Sequence, residues 1–341
     1  MIRVFLIIAL LLAPAAAAQE DLSLADDVEV TRVVVDIRAV DPKGVPIGGL
    51  IPEDFVVRVE GDPVPVSSLD WVSGSVARLS PEEVAALPDD HPLRSGAGAG
   101  RLIVIFFQRS LVPTRIAGTM RMLQETREFV GRLQDNDYVA TVFFQSHLEL
   151  VQDFTNDKQK ILAILDDQIV PYRTQPPAEP GPYPSLAAFF DVQAGLDAAT
   201  PEHGLRVTAE ALKEIPGSKS MLFVGWGVGI MVGGVVKMRP EYEPARQALA
   251  EARVSVFSLD VTRADYHSLE GPLIRMALDT GGFYVRTYDN ANVAMGAVEK
   301  AIAGHYVLAF EKPQLPEGRH RMRIRLKNHK GVVYHREYYN D

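Results

Sequence analysis

Residues 102 to 303 alternate between two hydrophobic periods. Leu102 to Phe107 is an unbroken apolar run, the pattern of a strand covered on both faces of a parallel sheet. Ile116, Met120, Leu123, Val130 and Leu133 follow at helical spacing and predict an amphipathic helix over Thr114–Gln134. Strands are predicted at Tyr138–Phe144 and Leu148–Phe154, then a helix capped by Thr155 or Asn156 and running through Ile169. The pattern continues with a helix at Val207–Ile215 stopped by Pro216-Gly217, and a buried strand at Met221–Val224. A helix at Pro240–Ala252 and a strand at Val254–Asp260 come next. Ser268–Thr280 is helical up to Gly281-Gly282, Phe283–Arg286 is a strand, and Asn290–Ala303 is the last helix. This alternation predicts an α/β fold with right-handed crossovers and a doubly wound, mostly parallel, Rossmann-like sheet.

Both ends of the chain read differently. Val28–Val40 is β-branched and alternating, closed by the turn Asp41-Pro42-Lys43-Gly44, and Phe55–Val59 is a second strand ended by Glu60-Gly61-Asp62-Pro63. The tail reads as hairpins at Tyr306–Phe310, His320–Lys327 and Val332–Tyr338, with turns at Gln314–Gly318 and Asn328–Gly331. Three hairpin strands alone bury too little to be stable. The predicted arrangement is therefore a β-sandwich-like portion made by an N-terminal segment (28–77) and a C-terminal one (305–341), beside an α/β domain at 101–304. Residues 78–100, ending in Ser95-Gly96-Ala97-Gly98-Ala99-Gly100, are too small in side chain to pack a core and read as a flexible linker.

Composition narrows the function classes. The chain has 341 residues, 47% hydrophobic and 23% charged, as expected of a folded globular protein. Its 35 Lys and Arg against 44 Asp and Glu leave a net charge of −9, which argues against general nucleic-acid binding while allowing a local basic face. Arg3, the apolar run Val4–Leu12, Pro14 and the alanines before Gln19 read as a secretory signal peptide over residues 1–18, since the run falls well short of the ~20 residues that span a bilayer. The expected location is exported, periplasmic or extracellular, with no membrane span in the mature chain. With no cysteine, neither a disulfide nor a lipid-modified cysteine is available.

Several short motifs then occur in a fixed order. They are Ile51-Pro52-Glu53-Asp54-Phe55 with Glu60-Gly61, Gln152-Asp153-Phe154-Thr155, Pro216-Gly217-Ser218-Lys219, Asp279-Thr280-Gly281-Gly282, and the tail from Gly304-His305-Tyr306-Val307-Leu308 to Tyr338-Tyr339. In that order the chain resembles the bacterial secreted proteins with a von Willebrand factor A related domain, abundant in acidobacteria, over nearly its whole mature length. The resemblance implies a metal-ion-dependent adhesion site: Asp-x-Ser-x-Ser after the first strand, a loop Thr, and an Asp after the fourth strand, holding Mg²⁺ or Ca²⁺. Here the first motif falls on Gln108-Arg109-Ser110-Leu111-Val112, so the Asp position is Gln108, the second Ser is Val112, and Ser110 alone remains. The late Asp belongs near Gly225-Trp226-Gly227, and Phe223–Ile230 holds no carboxylate. Ser185 and Thr200 are both candidates for the loop Thr. A divalent cation facing an amide, one hydroxyl and Arg109 does not recover its dehydration cost, so no metal and no other cofactor is expected. Asp153, Asp191 and Glu202 remain as carboxylates that could approach the same face.

Other constellations are weaker. Gly225, Gly227, Gly229, Gly233 and Gly234 do not match a phosphate-loop spacing and read as a flexible loop. The eight histidines show no ligand spacing, and no nucleophile motif proposes an enzyme. Pro171–Pro184 is a stiff, extended loop, either a solvated spacer or a recognition element. Arg319, Arg321, Arg323, Arg325 and Lys327 put a row of cations on one strand face, read as a solvated outer face, with an acidic-partner surface as the rival. The expectation is a non-enzymatic module that binds another protein at the carboxyl edge of its sheet, with Arg109, Arg115, Tyr172, Tyr183 and Trp226 as contact residues. Trp226 is equally readable as a core plug. The alternatives are a metal-dependent adhesion domain with substitute ligands and a periplasmic enzyme with an unrecognised site.

Overall fold

The computed structural model describes residues 31–73, 100–167, 176–263 and 267–341. The expected signal peptide, most of the expected linker and Tyr172 lie outside the described residues. The centre of the molecule is a six-stranded sheet made from β5 (Leu102–Gln108), β6 (Tyr138–Phe144), β7 (Leu148–Thr155), β8 (Lys219–Gly225), β11 (Val254–Asp260) and β12 (Tyr284–Arg286). Their order is β12-β11-β8-β5-β6-β7, all parallel except β7, which runs antiparallel to β6. Every residue of β5, β8 and β11 is buried, as expected of central strands covered on both faces.

Alternate residues of β5 serve two cores. Leu102, Val104 and Phe106 pack with α4 (Pro201–Lys213), α5 (Tyr242–Glu251) and α6 (Glu270–Asp279). Ile103, Ile105 and Phe107 pack with α1 (Pro113–Arg132), α2 (Lys158–Asp167) and α7 (Ala291–Ala301) on the other face. Each fully buried Leu, Ile or Phe contributes about 1.5–3 kcal/mol, so this double core is the main source of stability. The short helix α3 (Val192–Leu196) follows the proline-rich stretch. At α2 the cap differs from expectation. Asp157, one turn-position later than Asn156, accepts the amides of Gln159 and Lys160 at 3.0 and 3.3 Å, while Thr155 Oγ1 accepts from Asp157 N and the Asn156 amide reaches Asp135 O.

Strands from both ends of the chain form two antiparallel sheets. One has the order β15-β1-β13-β4 and the other β16-β14-β2-β3, from β1 (Arg32–Val40), β2 (Phe55–Val59), β3 (Asp62–Val64), β4 (Val66–Ser73), β13 (Gly304–Glu311), β14 (Arg319–Leu326), β15 (Val332–Tyr334) and β16 (Tyr338–Asn340). Their inward faces share one core holding Val35, Ile37, Val57, Tyr306, Met322 and Ile324. The expected C-terminal hairpins do not form. β13 pairs with β1 and β4, β14 pairs with β2, and the stretch Val332–Tyr338 is split, β15 joining β1 and β16 joining β14. The split occurs because the chain crosses between sheets at His335, whose Nε2 accepts the Ile324 amide while Nδ1 meets Arg336 O at 2.8 Å.

Charged groups hold the antiparallel sheets to the parallel one. Asp36 of β1 takes two contacts from Arg253, at 2.7 and 3.1 Å, and lies 3.5 Å from His305, while Arg38 donates to Ser255 Oγ at 2.7 Å and stacks over Phe257. Burial alone would raise the Asp36 carboxyl, but Arg253 and His305 outweigh it and hold it well below the usual carboxylate range. Burial lowers the Arg38 guanidinium to about 10, opposed by Asp36.

Candidate functional site

The carboxyl edge of the parallel sheet is where the loops after β5, β8 and β11 converge. Gln108, the last residue of β5, is 1% exposed, and its amide bonds through both oxygen and nitrogen. Oε1 accepts from Trp226 N at 2.9 Å and Gly227 N at 3.0 Å, and Nε2 donates to Gly227 O at 2.7 Å. Two donors on the oxygen and one acceptor on the nitrogen fit a neutral amide and not an ionised carboxylate. A carboxylate here would set oxygen against the Gly227 carbonyl. Gly225 makes room, because a Cβ there would fall 2.8 Å from Gln108 Oε1.

Around this knot the expected residues are brought together, but not as one exposed surface. Arg109 is 8% exposed, stacks 4.2 Å from the centre of the Phe143 ring and lies 3.8 Å from Glu149 Oε2. Its backbone carbonyl accepts from Trp226 Nε1 at 3.0 Å. Arg109 is therefore buried against Phe143 and Glu149 rather than displayed on the surface. Arg115 stacks 4.0 Å over Trp226, which leaves the indole half-buried, part plug and part surface. Ser110 Oγ accepts from Val112 N at 3.2 Å, and the exposed groups here are Leu111, at 81%, and Val112.

Ser185 and Thr200 lie elsewhere in hydrogen-bonding terms. Ser185 donates to Asp153 at 2.6 Å and Thr200 caps α4 through His203 N. Asp153 spends its oxygens on Ser185 and on the amides of Phe154, Gly181, Leu186 and Ala187. The described part of the proline-rich stretch is mostly exposed and is tied to β7 through Gly181 N and, at 3.2 Å, through Ala178 N on Leu150 O. Tyr183 packs there half-buried, its hydroxyl pushed up to about 12 by burial. Asp191 caps α3. Glu202, fully buried, accepts from Gly229 N and faces Arg239 at 3.8 Å; burial raises its carboxyl, against the pull of backbone amides. Of the three carboxylates, Glu202 is the one that bonds the loop after β8.

Two features escaped the sequence. Residues 225–234 are not a flexible loop throughout: β9 (Ile230–Val232) and β10 (Val235–Lys237) pair as a hairpin. Gly233 and Gly234, at φ 59° and 81°, provide the left-handed backbone that such a two-residue turn demands. Ile230, Met231, Val232 and Val235 are all exposed on it. The second is Asp260, opposite Gly225 at the end of β11. Its Oδ2 accepts from Tyr284 at 2.8 Å and meets His267 Nε2 at 2.5 Å, and Oδ1 accepts from Thr262 N at 2.9 Å. An acid ending a buried strand was the available signal. Among the described residues no group of three or more His, Asp or Glu side chains is placed to hold a metal ion, and no helix is long and apolar enough to cross a membrane.

No protein-family model and no curated protein matches the chain. Among solved structures, an aerotolerance-related membrane protein from Bacteroides fragilis is 14% identical with a TM-score of 0.36, over 60% of this chain and 98% of that one. The conserved hypothetical protein BatB from Bacteroides thetaiotaomicron is 12% identical with a TM-score of 0.35, over 59% and 98%. The minor pilin PilB from Streptococcus sanguinis is 14% identical with a TM-score of 0.34, over 60% and 61%.

Proposed function

We propose that this protein is an exported, non-enzymatic binding module of the von Willebrand A type, which contacts another protein directly and without a bridging metal. The observation that carries the reading is Gln108. At the position where the resembling family places its first metal carboxylate, this chain has an amide whose three hydrogen bonds all close on Trp226 and Gly227. The nearby Asp260 supports it too, since both of its oxygens are already engaged by Tyr284, His267 and Thr262.

The contact surface in this reading is the exposed rim of that knot: Leu111, Val112, the edge of Trp226 and the hairpin side chains Met231 and Val235. Isolated exposed apolar residues are ordinary, but several on the two loops flanking one strand end suit protein recognition. Thermal melts in millimolar Mg²⁺, Ca²⁺ or Mn²⁺ should show no saturable shift, because ligand binding to the native state raises stability by linkage. An EDTA-reversible rise would favour the metal-dependent alternative. Replacing Leu111 and Met231 by Asp should leave the melt unchanged while reducing retention of a cross-linked envelope partner about tenfold or more, the scale of hot-spot loss. Equal retention by that variant would move the contact surface off this edge.

A further inference from the structure

The outward face of β14 carries charge of one sign. Arg319, Arg321, Arg323 and Arg325 alternate with inward His320, Met322 and Ile324. Across the strand pair Arg323 stands directly opposite Arg58 of β2. Like charges in facing positions destabilise a sheet, and among the described residues no carboxylate forms a salt bridge with the guanidinium of Arg58, Arg321, Arg323 or Arg325. Arg319 alone has a carboxylate, Glu243 at 3.6 Å, and it also stacks on Tyr338. In a chain of net charge −9, these four arginines, with Glu60 beside Arg58 and Arg321, are a local concentration of positive charge on one face.

Beside this row runs a groove of about 510 Å³. One wall carries Arg321, Arg323 and Arg325, and the other carries Leu278, Val332 and Val333. Leu278 and Val332 are exposed, at 41% and 52%. On this side β14 lacks a full strand partner. β16 covers Arg319–Arg321, the Met322 amide is taken by Glu337 O, and the Ile324 amide is taken by the His335 ring.

We infer that this groove and its arginine wall bind an extended acidic segment of a partner protein, with carboxylates at alternate residues and apolar side chains between them. Alternate side chains on a strand repeat at about 6.6–6.8 Å, so an extended ligand with acids at every second position matches the arginine row in register. Guanidinium groups suit this ligand because their planar fork holds a carboxylate through two bonds. The ends of the face favour a short peptide over a continuous polyanion. Glu60, Glu243, Glu337 and Asp341 lie along its margins and would repel phosphates running past it. The proposal concerns a different surface from the Gln108 edge and stands without it.

The test uses the full mature chain and an eight-residue alternating Glu-Val peptide, blocked at both ends, followed by calorimetry or fluorescence anisotropy. Saturable binding is expected, weakening as ionic strength rises, because exposed charge pairs are screened within ~10 Å at 0.1 M salt. An alternating Gln-Val peptide should bind at least tenfold more weakly. Arg321→Glu with Arg323→Glu should reduce affinity for the acidic peptide by tenfold or more, whereas reversal of two exposed lysines elsewhere, Lys43→Glu with Lys160→Glu, should change it less than threefold. Arg323→Gln is a second variant that relieves the repulsion with Arg58, so it should melt no lower than the parent while still losing affinity. Failure of the parent to bind the acidic peptide at low salt would overturn the proposal, as would equal losses in the two double reversals. Tighter binding of single-stranded DNA or phosphatidylglycerol vesicles than of the peptide would overturn the choice of a protein segment.

Discussion

The parallel sheet and the two antiparallel sheets solve the burial problem in different ways. In β5, β8 and β11 every residue is buried, and at the strand ends Gln108 and Asp260 tie down the loops. β14 buries every second residue and gives its other face to arginine. The antiparallel part thus owns one modest core, and its junction with the rest carries buried charged pairs beside aromatic contacts such as Phe283 with Tyr334. The parallel part holds itself together, while the antiparallel part depends on groups that must stay ionised and paired. A buried ion pair adds little net stability when intact, yet breaking one partner is costly.

That asymmetry sets the order of the expected effects. Asp36→Asn leaves Arg253 and Arg38 without their buried counter-charge and should cost about 3–5 kcal/mol in denaturant unfolding. A loss under 1 kcal/mol would mean that the junction is held by packing after all. Gln108→Leu strands the amides of Trp226 and Gly227 and the Gly227 carbonyl, and should cost about 1–3 kcal/mol while leaving the antiparallel sheets unaffected in hydrogen exchange.

Acid should act on the junction before the parallel core. Burial pushes His305 below its ordinary 6.5, opposed by Asp36, so the fold prefers the neutral ring. Its stabilising contribution is complete above pH 6.5 and is lost as the pH falls below that value, whereas Asp36 keeps contributing until well below 3.8. His305→Gln should flatten the decline between pH 6.5 and 5 in a series of thermal melts. The smallest effect is expected at Glu202. Burial raises its carboxyl above 4.5, so ionisation there weakens the fold as the pH rises. Glu202→Gln should therefore melt higher than the parent at pH 7 and no higher at pH 4.

Much of this architecture was legible in the sequence because apolar runs and helical spacing have one physical reading when both faces of a strand are buried. The strand Val254–Asp260 falls as predicted, and the helices shift by a few residues at their ends. β3 and β4 were not legible: Val66–Ser73 mixes Ser, Asp and Trp, and its pairing with β13 is decided by a strand more than two hundred residues away. Partner choice among the C-terminal strands failed for the same reason, since local turn signals cannot see β1 or β2. At the edge, the substitutions Gln108 and Val112 were plain to read, but the direction of Arg109 was not. An arginine beside a strand end is read as exposed until Phe143 and Glu149 are known to lie under it. Several short motifs serve the fold rather than chemistry. Asp153 organises the proline-rich stretch, Lys219 reaches Ala252 O from inside, and Tyr306 joins Leu50 N to Ile47 O.

The pairing of β1 with β13 and of β2 with β14 also sets a timetable for the chain. Leu50 finds the Tyr306 hydroxyl across 256 residues, and β1 and β4 have no strand partner, and β2 none but β3, until β13 and β14 have been made. The α/β segment between them, built mostly from neighbouring strands and helices, can close first and carry both ends together. During that interval β1, with its valines and isoleucine unpaired, is the segment of the chain most exposed to wrong partners, and any factor that escorts this protein has its work concentrated there.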